Sequence, residues 1–435
     1  MDAAAEESPR RWPWVVPFVD GETEQPANAV AKVLCDDNLL REIIVRVGFP
    51  TTLVRAALVC KRWLRHAADP AFLSRFRKLH PPSLLGYYFS EWLVSSKNLG
   101  APPFHLMLPQ PLLQESFGHA PITIHLSSPR FVPMLPQPPE LATVIRHLAD
   151  YRFGVHDDTL LIKHCHNGTI FTQHDKGETE LTLGVHRPLC PERGMPIVPP
   201  FPCVERNLQW FGAMLSKEGS NGGLSYLYVL GTKDLGKFLV HVYVLQDGVW
   251  SPNTSATCQP CLIHWEPKAV LVDNKIYIPA RNNDNILVLD LMTSTFSTIQ
   301  LPQGVSYNYF RTMLSPADDA SGVYLIHVNG FELRIWLSKG NSWLLVDTIC
   351  LNMLDHTLED DHNANVRISQ VENNAEFVFL RMGGCTLYLD VTSKTLRKLH
   401  ERTENGRHFS DTKPFMMIWP PIFPVLKDDP ARFAF

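Results

Sequence analysis

Residues 34–80, LCDDNLLREIIVRVGFPTTLVRAALVCKRWLRHAADPAFLSRFRKLH, read as three short amphipathic helices. Asp36-Asp37-Asn38 offers N-cap side chains and negative charge where the helix dipole is positive. Leu40, Ile43, Ile44 and Val47 then recur at i, i+3, i+4 and i+7, one face, which Leu39 widens. Gly48 is placed to end this helix in a left-handed cap, and Pro50 to block its continuation. Thr51 or Thr52 can cap a second helix, with Leu53, Ala56, Ala57, Cys60 and Leu64 on one face and Val59 and Trp63 beside it. Asp69-Pro70 marks a third start, because the carboxylate caps and proline suits a first turn; Phe72, Phe76 and Leu79 follow at helical spacing. So small a unit carries more large apolar side chains than three short helices can hide. Burying one such side chain contributes roughly 1.5–3 kcal/mol. The excess is therefore expected to meet a partner or the neighbouring domain, and periodicity alone leaves both open.

Leu34-Cys35-Asp36-Asp37, Leu39-Leu40-Arg41-Glu42-Ile43-Ile44 and Leu58-Val59-Cys60-Lys61-Arg62-Trp63 resemble the F-box of plant ubiquitin-ligase receptors, in the form common among grass proteins. Asp69-Pro70-Ala71-Phe72-Leu73, Phe76-Arg77, His80-Pro81-Pro82 and Leu84-Leu85-Gly86 continue the resemblance. The family's leading Leu-Pro is here Leu34-Cys35, a departure expected to loosen the first loop. The resemblance implies docking on a Skp-type adaptor and, through it, on a cullin scaffold. The residues it assigns to the adaptor-facing or adaptor-supporting face are Leu34, Cys35, Leu39, Ile43, Val47, Pro50, Leu53, Val59, Cys60 and Trp63.

Working outward, residues 1–30 read as a flexible tail, with Trp12, Trp14 and Phe18 either packing back or anchoring a partner; 31–82 form the F-box and 83–435 a β-rich recognition domain. At 435 residues and 45% hydrophobic, the chain has room for two or three domains with a large core. A net charge of −4 gives no global field for nucleic acid or an anionic membrane, and no apolar run is long enough to span a bilayer. The basic residues Arg55, Lys61, Arg62, Arg65, Arg75, Arg77 and Lys78 read as the solvated side of the helices. Nine cysteines without framework spacing suit a reducing compartment, cytosol or nucleus.

Residues 81–139 hold 12 of the 35 prolines, which excludes long helices there. Short strands remain possible at 85–89 and 122–126, and a brief helix at 140–148. Beyond Asp150 the chain reads as β-hairpins turning at Asn167-Gly168, Asp273-Asn274, Asn329-Gly330 and Gly383-Gly384. Val288-Leu289-Asp290-Leu291 recurs one hundred residues later as Tyr388-Leu389-Asp390-Val391, with Leu333-Arg334-Ile335-Trp336-Leu337 between. A period of about fifty residues suits kelch-like blades. The expected fold is α+β multidomain, a three-helix F-box followed by a β-propeller of six or seven blades, with a β-sandwich as the alternative. Trp336 and Trp343 also resemble the tryptophan spacing of F-box-associated domains.

Three places could carry chemistry. His164 and His166 flank Cys165 on a strand, so only the two histidines share a face, and two ligands leave a zinc site incomplete. Cys258-Gln259-Pro260-Cys261 lacks the helix start and βαβ setting of a redox pair. Residues 355–362 gather acids and two histidines without EF-hand spacing. No catalytic constellation, cofactor or metal is expected. The functional expectation is a non-catalytic substrate receptor of a Skp-cullin-F-box ubiquitin ligase, holding an unknown protein substrate. The alternative is a stand-alone propeller that binds a protein or glycan.

Overall fold

A computed structural model describes residues 26–80, 83–95 and most of 123–423. The breaks in the last range fall mainly at 155–159, 176–180, 201–208, 219–223, 259–262, 355–364 and 402–406. Trp12, Trp14, Phe18, Gly383-Gly384 and residues 355–362 therefore lie outside the described residues. Two compact units emerge. One joins the N-terminal helices to the stretch of chain from Trp419, and the other is Pro82–Ile418. A helix begins at Pro26, within the stretch expected as a tail, and Phe423 packs with the helices.

The helical unit contains α1 (Pro26–Cys35), α2 (Asp37–Val45), α3 (Pro50–Ala57), α4 (Lys61–Ala67) and α5 (Pro70–Leu79). Two starts follow the expected caps. The Asp36 carboxylate accepts from the Asn38 and Leu39 amides, and the Asp69 carboxylate accepts from the Phe72 amide with Pro70 in the first turn. Two local expectations are corrected. Gly48 takes no left-handed conformation; α2 already ends at Val45. Neither threonine caps α3, which starts from an extended Phe49 with Pro50 in its first turn. The second helix also breaks at Leu58–Cys60, where Cys60 is fully extended (φ −163°). Leu40, Ile44, Val45, Leu53, Ala57, Ala67, Phe72 and Phe76 form the core of this unit, and Phe423 packs against it.

The second unit is a six-bladed β-propeller. In the first blade β1 (Leu84–Phe89) and β2 (Glu91–Ser95) are interrupted only at Ser90, and β3 (Thr123–Leu126) and β4 (Arg130–Pro133) run back beside them. After α6 (Ala142–Asp150), β5 (Leu160–His166), β6 (Thr169–Asp175) and β7 (Leu181–His186) build the second. The third contains β8 (Gln209–Glu218), β9 (Leu224–Asp234), β10 (Lys237–Gln246) and β11 (Val249–Cys258). The fourth contains β12 (Val270–Val272), β13 (Lys275–Pro279), β14 (Asn285–Asp290) and β15 (Thr295–Gln300). In the fifth are β16 (Thr312–Pro316), β17 (Val323–Asn329), β18 (Glu332–Lys339) and β19 (Ser342–Cys350). The sixth holds β20 (Arg367–Val371), β21 (Phe377–Met382), β22 (Cys385–Asp390) and β23 (Thr395–Glu401). Finally β24 (Arg407–Phe409) pairs with β2 and β25 (Lys413–Met416) with β1, so the last strands complete the first blade.

The innermost strands β5, β8, β12, β16, β20 and β25 follow one another around the ring. Neighbours pack directly, and the Thr412 amide donates to Ser369 Oγ at 3.1 Å where the sixth blade meets the first. Closure leaves only short blade edges open, the arrangement a β-sandwich would lack. The cores lie between blades. Phe211, Val229 and Val240 of the third blade pack with Ile276, Ile278 and Leu289 of the fourth. Met313, Ile326 and Ile335 of the fifth likewise meet Ile368, Val378 and Leu389 of the sixth.

The fifty-residue repeat reappears as geometry. Asp290 accepts from the Met292 and Thr293 amides, and Asp390 accepts from the Ser393 amide, each in the turn between the third and fourth strands of a blade. Ser294 and Lys394 take the same positive φ, 56° and 52°. Trp336 is buried between the fourth and fifth blades, and Trp343 Nε1 donates to the Gln300 carbonyl of the fourth at 2.7 Å.

Candidate functional site

The helical unit sorts the ten expected docking residues into three groups. Pro50 and Leu53 are buried, Leu53 at 0% exposure. Leu34, Val47 and Trp63 are half-buried and pack against the same core. Cys35, Leu39, Ile43, Val59 and Cys60 are exposed, with Leu39 at 45%, Ile43 at 42% and Val59 at 63%. The stripe read along α2 therefore divides. Leu40 and Ile44 turn inward, while Leu39 and Ile43, one turn apart, face solvent. Leu58, 54% exposed, joins the exposed set, as do Val30 and Val33 on α1. Sequence reading missed these three as surface residues. Leu58 lies at a helix break that periodicity does not mark, Val30 stood within the assumed tail, and Val33 lay just beyond it.

Arg62 fixes the junction ahead of this surface. Its guanidinium donates to the Leu34 carbonyl (2.6 Å), the Cys35 carbonyl (2.6 Å) and Asp37 Oδ1 (2.7 Å). The end of α1 is thus tied to α4, which corrects the expectation of a loosened first loop at Cys35. Arg62 and then His66 hold the Asp37 carboxyl below the usual carboxylate range. His66 is almost fully buried; Arg41 Nε donates to its Nδ1 at 3.1 Å, so its Nε2 carries the proton that faces Asp37 Oδ1 at 2.9 Å. Arg62→Ala strips two helix-end carbonyls of their donor. It is expected to cost the helical unit about 1–3 kcal/mol, read as an earlier loss of helical circular dichroism in urea.

The other candidates stay separate. The rings of His164 and His166 lie 6.0 Å apart and nearly parallel on β5, while Cys165 turns to the buried side. No set of three His, Cys, Asp or Glu side chains among the described residues could hold a metal. Burial pushes the Cys165 thiol up to about 12 and the His164 imidazole down to about 3. Cys258 is buried at the end of β11, opposite Phe238, and Gln259, Pro260 and Cys261 lie outside the described residues.

A family model described as F-box protein AT5G49610-like, beta-propeller, matches residues 161–423, more than half of the chain. No curated protein matches significantly. Among solved structures, a protein from Lactobacillus plantarum is 9% identical, covering 73% of this chain and 82% of its own, with a TM-score of 0.33. The periplasmic gluconolactonase of Pseudomonas aeruginosa is 12% identical, covering 73% and 83%, with a TM-score of 0.32. At these TM-scores the structural likenesses carry no weight for function.

Proposed function

The chain belongs to the F-box proteins with an AT5G49610-like beta-propeller, and from that membership we propose that it is a substrate receptor of a Skp-cullin-F-box ubiquitin ligase. The helical unit docks on a Skp-type adaptor, and the propeller holds a protein substrate. Catalysis in this scheme is proximity: a substrate lysine is held near a charged ubiquitin carrier, and no side chain of this chain enters the chemistry. The grass-type assignment rests on the resemblance of the Leu34–Asp37, Leu39–Ile44 and Leu58–Trp63 runs, and a cytosolic or nuclear location on the cysteine usage.

One observation carries the reading. The helices complete a core of their own and still present Leu39, Ile43, Leu58 and Val59 to solvent. Exposed aliphatic side chains on a unit that already has a core suit a partner surface.

The test is a pull-down of the full chain with a purified Skp-type adaptor, beside an Ile43→Asp, Val59→Asp variant. Both positions are exposed, so the fold survives the substitutions; Leu53 is unsuitable because a charge there would enter the core. The unaltered chain is expected to bind and the variant to bind at least about tenfold more weakly. Absence of binding by the unaltered, folded chain would overturn the receptor reading and favour a stand-alone binding protein.

A further inference from the structure

Three inner strands of the propeller share a feature that lies outside the helical unit. Lys268 stands just ahead of β12, Tyr309-Phe310-Arg311 just ahead of β16, and Asn365 and Arg367 at the start of β20. Since β16 packs between β12 and β20, these positions come together although they are far apart in sequence. Lys268 Nζ lies 4.7 Å from the centre of the Tyr309 ring and donates to the Ile368 carbonyl at 3.2 Å. Tyr309 meets Phe310 edge-on at 5.2 Å, and the Arg367 guanidinium covers the Phe310 ring at 4.8 Å. The Ile368 amide donates to the Phe310 carbonyl at 2.6 Å, which locks the aromatic turn onto β20. Arg311 donates to Asn365 Oδ1 at 3.1 Å.

Among the described residues the charge here is one-sided. Arg334, two strands across from Arg311, is matched by Glu332 through two hydrogen bonds of 2.9 and 3.0 Å. Arg311 meets the neutral Asn365 amide, and Arg367 a ring face. Among the described residues, neither guanidinium pairs with a carboxylate. Near Arg311, His327, hydrogen-bonded to Thr312 Oγ1 at 3.0 Å, is held below its ordinary pKa by burial and then by the charges of Arg311 and Arg334. Both arginines are half-buried and pre-positioned, so little side-chain entropy remains to be lost when an anion arrives.

We propose that this arginine–aromatic rim binds an acidic peptide segment of a partner protein, the anionic groups meeting Arg311 and Arg367 and the neighbouring backbone lying over Tyr309 and Phe310. Guanidinium forks match phosphate and carboxylate alike, so phosphorylated and Asp/Glu-rich segments share this chemistry. The chain's net negative charge weighs against a nucleic acid, whose capture depends on a broad positive field. The inference deepens the receptor reading by naming a substrate class. It rests on that reading only for the word substrate, because binding is measured without an adaptor.

The experiment uses the folded full chain and fluorescence anisotropy with short labelled peptides of one sequence. One carries phosphoserines, one glutamates at the same sites, and one glutamines. An Arg311→Gln, Arg367→Gln variant is run beside it, with its thermal midpoint checked. Expected is at least about tenfold tighter binding of an acidic peptide than of the glutamine peptide, and loss of that preference in the variant. Preference for phosphoserine over glutamate identifies phosphate as the anion, and equal binding of those two identifies charge alone. The Arg311→Lys, Arg367→Lys variant should recover part of the binding, since charge returns without the fork. Equal binding of all three peptides, or an acidic preference that survives in a folded glutamine variant, would overturn the proposal. Tighter binding of an oligonucleotide at the same arginines would overturn it in favour of nucleic acid. Adaptor capture by the glutamine variant should be unchanged, so failure of this inference and failure of the receptor reading are told apart.

Discussion

Phe415→Ala is expected to lower the stability of the propeller by about 3–5 kcal/mol, the range for emptying a well-packed aromatic site. Phe415 is 1% exposed on the closing strand β25 and faces Gly86 of β1. Its ring meets Tyr88 edge-on at 5.7 Å and Phe131 at 6.3 Å, and Tyr88 in turn meets Phe153 at 5.6 Å. The neighbours have little room to collapse into the gap. A Cβ on Gly86 would already stand 2.3 Å from the Val132 carbonyl oxygen and 2.5 Å from the Phe131 ring. The loss also falls where the circle is joined, so it weakens the pairing that removes two open edges. Urea unfolding followed by tryptophan fluorescence reads the change. Phe415→Leu should cost clearly less, and a shift below about 1 kcal/mol for the alanine variant would show that the closing strand contributes little.

The second large effect is a loss of stability in mild acid. His164 retains some solvent contact but packs against Phe171, with His166 stacked beside it. Burial first, and then the charges of His166 and Lys413, bring its pKa down from 6.5 to about 3. Between those values the unfolded chain takes up a proton that the folded chain refuses. The contribution is therefore complete above pH about 6.5 and is lost as pH falls from there toward about 3, at no more than about 1.4 kcal/mol per pH unit. His327 and His241 are shifted the same way by burial and add to the slope. The lowered carboxylates Asp37, Glu42, Asp290 and Glu332 act below the ordinary carboxylate range, so the window from pH about 6.5 to about 5 isolates the histidines. Urea midpoints across that window should fall with pH, and His164→Gln should flatten the trend. An unchanged slope in that variant would assign the effect to the other histidines.

Local chemistry explains which parts of this fold could be read early. Asp36 and Asp69 cap helices because the necessary atoms lie within three residues. Asn167-Gly168 and Asp273-Asn274 turn hairpins because both members adopt positive φ, which few residue pairs tolerate. The blade period was visible because Asp290 and Asp390 make the same turn. Other features depend on partners far away in sequence. The break at Leu58–Cys60 preserves the apolar rhythm on either side, so periodicity ran through it. The pairing of β25 with β1 leaves no local mark. Of the exposed aliphatic surface on the helices, the stripe was legible but its division was not, since whether Ile43 or Ile44 faces inward depends on where α4 and α5 sit. The rim of Lys268, Arg311 and Arg367 was invisible for the same reason: each is one ordinary cation until the blades bring the inner strands together.

The closing strand has a consequence for biosynthesis. β25 completes the first blade, and Phe423, a few residues on, packs against the core of the helices from outside. The propeller therefore waits for this segment of the polypeptide to leave the ribosome. A product of termination ahead of it would emerge with an unsealed ring, an exposed signal for chaperones and proteases. Only a message translated beyond β25 yields a molecule whose ring is closed, so the fold itself screens its own products.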